Sequence, residues 1–162
     1  MSALDMVIAF GDMAKFKQTL DKVGVLPQKV VTKAAGKGRT VVRKAVRGQV
    51  PVDTGMLKRG IVSKGERSRT KGKKVYEVRF DPALNDVFQK PIIHPGEAGG
   101  KNPKAYYPAS MEYGFLTRSK GGGLSYVPGY HFMRKAAEQV EAAAKQAMIR
   151  TAITELEKEW VK

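Results

Sequence analysis

From Phe132 to Trp160 the apolar residues fall in steps of four: Phe132, Ala136, Val140, Ala144, Met148, Ala152, Leu156 and Trp160, with Met133, Ile149 and Ile153 beside them. That period is helical, so a helix is predicted from about Tyr130 onward. A run of about 30 residues spans ~45 Å. This exceeds what one small core covers. The helix is therefore expected either to kink or to pack its far end on another subunit.

A second helix is predicted from Pro27 to Gln49. Proline loses nothing at a first helical position, where its missing N–H would be unpartnered anyway. Val30, Val31, Ala34, Ala35, Val41, Val42, Ala45 and Val46 form one apolar stripe. Gly36 and Gly38 each weaken a helix by ~1 kcal/mol relative to alanine, so a bend or local looseness is expected there. Val50-Pro51 stops the helix. Upstream, Met6–Phe10 reads as a short strand and Met13–Lys22 as a helix capped by Asp12 and ended by Gly24.

Leu57–Lys64 and Lys74–Asp81 are strand candidates. The second alternates Val75, Glu77, Arg79 with Tyr76, Val78, Phe80. The basic connection between them predicts a long-looped antiparallel hairpin. Pro82–Lys104 and Leu116–Gly129 are rich in proline and glycine and read as loops, the first long enough to be functional or mobile. Tyr107–Phe115 reads as a short helix started by Pro108 and ended by Gly114, or as a strand. A length of 162 residues fits a single domain. Its parts are 6–49, 57–81, a loop-rich assembly region 82–129, and the helix 130–162.

Charge narrows the partners. The formal net charge is +15. Between Lys15 and Lys74 there are 18 Lys/Arg against 3 acids, while the two later segments are nearly balanced, at 6 against 5 in each. One basic face is expected rather than a uniformly basic surface. It would meet nucleic acid or an acidic protein, or serve solubility alone. The candidates are Lys29, Lys33, Lys37, Arg39, Arg43, Lys44 and Arg47 on the helix, and Arg67, Arg69, Lys71, Lys73 and Lys74 on the hairpin loop. A solvated amphipathic helix explains the first group equally well. There is no aromatic interleaving of the kind that stacks single strands. Any DNA contact would be to backbone charge, without base readout.

The chemistry of an active site is not visible. The chain has no cysteine and two histidines, His94 and His131. Thiol catalysis and disulfides are excluded, and no metal-ligand spacing is present. Residues 96–102, GEAGGKN, miss the spacing and the Ser/Thr of a phosphate loop. No cofactor and no enzymatic activity are expected. Met1–Phe10 lacks the basic start of a signal peptide, and no apolar run reaches the ~20 residues of a membrane helix. The expected place of synthesis and assembly is the cytoplasm.

Four blocks, in order, resemble the tail-completion or head–tail joining (neck) proteins of siphophages. The first is VIAFGDMAKFKQTLDKVG, residues 7–24. The second runs Val50-Pro51-Val52-Asp53-Thr54-Gly55-Met56-Leu57 and resembles the family's Pro-Val-Asp-Thr-Gly-x-Leu hallmark. The third is Tyr107–Gly114, resembling a Tyr-x-x-x-x-Glu-aromatic-Gly block. The last is Pro128 through Ala136.

Physically, Pro51 breaks a helix, Asp53 and Thr54 favour a turn, Gly55 permits positive φ, and Leu57 re-enters the core as a strand begins. A plain turn explains these residues without further function. Glu112, Tyr113 and Gly114 are candidates for contact with a neighbouring subunit; the expected partner of Glu112 is a basic residue, either of its own chain or of a neighbour. The resemblance implies an α+β fold, with a small mostly antiparallel β-sheet packed by N-terminal helices and the long C-terminal helix. It further implies a virion ring, expected to be a hexamer, between head connector or adaptor proteins and the tail tube or terminator protein, with double-stranded DNA in its lumen and no membrane. The competing readings are a stand-alone basic DNA-binding protein and a tail or minor capsid protein from elsewhere in a virion.

Overall fold

The computed structural model describes residues 27–92, 103–118 and 122–160, with the side chains of all but the last two. The expected strand and helix before residue 25, residues 96–102 and His94 lie outside the described residues. The fold is α+β: helices with small two-stranded sheets. The described residues form two compact units. One takes in 27–41, Lys64–Glu77 and 141–160; the other takes in Val42–Ser63 with the described parts of 78–140.

Helix α1, Gln28–Gln49, begins after Pro27, whose carbonyl accepts the Val31 N–H at 3.2 Å. Gly36 and Gly38 do not interrupt it, and Gly38 has a packing role. A Cβ at Gly38 would lie 2.6 Å from the Met148 sulfur, so this glycine admits that side chain; Gly36 faces open space. The C-terminal helix α5, Phe132–Trp160, runs as one element of 29 residues. Its far half has a packing partner within the first unit. Ala152 and Leu156 share a buried cluster with Val30 and Ala34, with Met148 packed against it. The period-four ladder thus finds its partner in the start of α1.

The second unit has its own core. Val46, Val50, Leu57, Ile61, Phe88, Phe132 and Ala136 are buried together, with Val78, Phe80, Tyr106, Tyr107 and Met111 against them. Rings meet edge-on, Phe80 with Phe88 at 5.6 Å and Phe88 with Tyr106 at 6.0 Å between centroids. Leu57 enters this core from a short helix, α2 (Met56–Gly60), and strand β1 starts only at Ile61. Buried positions at Leu57, Gly60 and Ile61 have helical spacing, which alternation alone misses.

Strand β1 (Ile61–Gly65) pairs with β2 (Tyr76–Phe80). The Asp81 N–H donates to Gly60 and the Glu66 N–H to Val75, which sets the two strands antiparallel as expected.

The described parts of two expected loops are helix and strand rather than loop. After β2 come a 3-10 turn, Pro82–Leu84, capped by the Asp81 carboxylate, and helix α3, Asn85–Phe88. Strand β3 (Gln89–Pro91) then pairs antiparallel with β4 (Lys104–Tyr106). The reason is Phe88, one of the most buried side chains described. It fits because a Cβ at Gly60 would come within 2.5 Å of its ring. Leu116–Gly129 is likewise mostly hairpin. Helix α4 (Tyr107–Tyr113) leads into strand β5 (Gly114–Arg118), which pairs antiparallel with β6 (Leu124–Pro128).

Urea denaturation distinguishes the roles of these glycines. Gly60→Ala should lower stability by about 1–3 kcal/mol through overpacking. Gly36→Ala should raise it by about 0.5–1 kcal/mol, as expected for an open helical position.

Candidate functional site

The Tyr107–Gly114 block is first of all a clamp on the start of α5. A helix start leaves backbone N–H groups without intrahelical partners. Usually the residue just before the helix supplies a side-chain cap. Here that residue is His131, held at φ 52°. The cap comes instead from Glu112, buried at 5% exposure. Its carboxylate accepts the Met133 N–H at 2.9 Å and the Arg134 N–H at 3.2 Å. The backbone carbonyls of Met111 and Glu112 accept the Tyr130 and His131 N–H groups at 2.8 and 3.0 Å. A negative charge at this end also opposes the positive pole of a helix dipole. Glu112, named as a possible inter-subunit contact, is therefore engaged within its own chain.

Gly114 belongs to the same clamp. At φ 90° it adopts a backbone geometry that side chains disfavour, and a Cβ there would lie 2.4 Å from the Val127 carbonyl oxygen. Tyr113 is exposed, and its carbonyl accepts the Tyr126 hydroxyl.

Beyond the clamp, the β5–β6 hairpin presents apolar side chains to solvent. Paired residues share a face, so Leu116 and Tyr126 lie together with Arg118 and Leu124, while Phe115 and Val127 take the other face with Thr117 and Ser125. Leu116, Leu124 and Tyr126 are 66%, 71% and 58% exposed. Neither strand has another strand beside it among the described residues. A two-stranded hairpin is marginal by itself, and clustered exposed apolar groups mark contact surfaces. The alternation in Leu124-Ser125-Tyr126-Val127 was the available sequence signal, masked by the preceding glycines.

The turn block behaves as its chemistry requires. Gly55 has φ 74°, and the Thr54 hydroxyl oxygen lies 3.5 Å from the Met56 N–H that it accepts. Leu57 is buried, Pro51 half-buried and Asp53 exposed. The turn geometry thus accounts for Thr54, Gly55 and Leu57.

The basic candidates separate into engaged and available groups. Lys33 pairs with Glu155, and Arg39 stacks 4.8 Å from the Tyr76 ring centroid. Arg47 donates to the Lys58 carbonyl at 3.1 Å, Lys74 donates to the Glu66 carbonyl, and Lys29 is also engaged. Arg43, Lys44 and Arg47 belong to the second unit; the other nine basic candidates belong to the first.

The charged ends of Arg67, Arg69, Lys71 and Lys73 have no partner among the described residues, and all four side chains are exposed. Their loop is pinned to α1 by Gln28, which donates to the Lys73 carbonyl and accepts the Gly72 N–H, both at 3.1 Å. The Ser68 hydroxyl, 3.0 Å from the Thr70 carbonyl, braces it from inside. An open notch of about 250 Å³ is lined by Glu66, Arg67, Ser68, Arg69, Thr70, Lys73 and Val75.

Among the described residues no group of three or more His, Asp or Glu is placed to hold a metal ion, and no helix is long and apolar enough to cross a membrane. No family model, no curated protein and no solved structure matches this chain.

Two outcomes follow from these contacts. Glu112→Ala should cost about 1–3 kcal/mol, the penalty for unpartnered buried donors, and should speed hydrogen exchange at Met133 and Arg134. The second concerns pH. Glu155 is held below the ordinary carboxylate value by hydrogen bonds from Lys33 and then Lys158. A depressed folded value means stabilisation that is present above the unfolded carboxylate range and lost as pH falls through the folded value. Lys33→Ala should therefore shrink the loss of thermal stability on acidification from neutral pH.

Proposed function

We propose that the chain is a structural, non-enzymatic subunit of a tailed-phage neck or tail-completion ring, joining head connector to tail tube around the DNA path. The observation that carries this reading is the β5–β6 hairpin, rooted by the Glu112 clamp and presenting apolar side chains on both faces. In a ring, the neighbouring copy covers such an arm, and repetition of one heterologous contact closes the circle. Support also comes from the hallmark-like blocks, since Leu57 and Met111 pack on one core and Glu112 roots the arm beside it. The location in this reading is the virion, assembled in the host cytoplasm.

The four available cations of the 66–75 loop favour a second reading, a stand-alone DNA-binding protein.

Native mass spectrometry of the purified chain separates the two. A closed oligomer formed without DNA, expected to be a hexamer, supports the ring. Leu116→Ser with Tyr126→Ser should reduce it to monomers while leaving the circular dichroism spectrum unchanged. A wild-type chain that stays monomeric at all concentrations would overturn the ring.

A further inference from the structure

We infer that the 66–75 loop is a preformed contact for the phosphodiester backbone of double-stranded DNA, made through Arg67, Arg69, Lys71 and Lys73. The inference rests on charge and geometry, and applies whether the chain works in a ring or alone.

Three observations point to it. First, 27–41 and Lys64–Glu77 hold ten Lys/Arg against two Glu, yet the fold engages Lys29, Lys33, Arg39 and Lys74 elsewhere. Six remain, Lys37, Lys64 and the four on the loop; the loop's four fall at alternate positions of one short segment and can neutralise an outside polyanion without breaking an internal contact. Second, the loop backbone is fixed by Gln28, by Ser68 and by the Glu66–Val75 hydrogen bond. Charges on an ordered backbone lose less conformational freedom on binding. Third, the loop carries a hydroxyl at Thr70 and no aromatic residue. Protein interfaces draw their energy from anchors seated in well-packed, desolvated pockets, whereas these four cations stand exposed around an open notch. Phosphate contacts need only cations and hydroxyl or amide donors, and carry no sequence information. This composition favours a nucleic-acid backbone over an acidic protein surface.

The test uses the full chain and two 30-base-pair duplexes of unrelated sequence, with Kd measured across salt concentrations. The four residues are replaced together by glutamine. A second variant, Lys58→Ala with Arg59→Ala, Lys90→Ala and Lys104→Ala, removes the same charge elsewhere. Both duplexes should bind wild-type protein alike. The loop variant should flatten the slope of log Kd against log salt by about 3–4, at roughly 0.9 per phosphate contact, and the control by less than about 1.

Equal slopes in wild type and loop variant would overturn the inference. So would a control that loses as much, or poly-glutamate bound more tightly than the duplex at equal charge. Oligomeric state is read on the same samples. Lost DNA affinity with the ring intact supports this inference separately from assembly; DNA binding by a monomer retains it while removing the ring.

Discussion

A single buried carboxylate sets the arrangement of the second unit. Glu112 sits at the end of α4 and binds two N–H groups of α5, 21 and 22 residues further along. Hydrogen bonds to a charged acceptor contribute roughly 1.5–3 kcal/mol each, a large fraction of a typical domain's net stability. The two backbone bonds to Tyr130 and His131 complete the join. Together they fix where α5 begins. They also fix the base of the hairpin, because β5 leaves α4 at Gly114 and β6 ends at Pro128, just before Gly129. A Cβ at Gly129 would lie 2.3 Å from the Glu112 carbonyl oxygen. The unusual φ of His131 becomes intelligible in this setting. The chain turns sharply into the helix, and a distant side chain provides the cap that the local residue does not.

Much of this architecture was legible in the sequence, for reasons that also explain the misses. An apolar stripe in α1 and steps of four in α5 gave both long helices, because a helical stripe is a local signal repeated many times. Pro27 and Pro51 marked the ends of α1. The hairpin of β1 and β2 was visible in the alternation of Lys74–Asp81. Short elements were harder. Leu57 was read as strand because one turn of helix leaves too few residues to show its period. Phe88 was read as loop because its burial depends on Gly60, far away in sequence, making room for its ring. Glu112 stood out as a residue, but nothing local shows that its carboxylate points inward to α5.

The same limits apply to the surface. Twelve basic residues looked alike as letters. In three dimensions Lys29, Lys33, Arg39, Arg47 and Lys74 are engaged, Lys37, Arg43 and Lys44 are left along α1, and a compact set of four remains on one pinned loop. Gln28, which pins that loop, carried no signal because its partners are backbone atoms in another segment. The exposed hairpin emerged from a region dominated in sequence by glycine. An apolar arm suits a self-contact and a cationic loop suits a polyanion, and a ring around DNA has use for both.

The most direct test is location in a particle. On the proposed reading a phage genome encodes this chain; a copy with a C-terminal tag would be expressed with that genome, and purified tailed particles imaged with a gold-conjugated tag ligand. Label at the head–tail junction is the result expected of a neck ring subunit. Particles free of the chain, or labelled only at the distal tail or over the capsid, would contradict it.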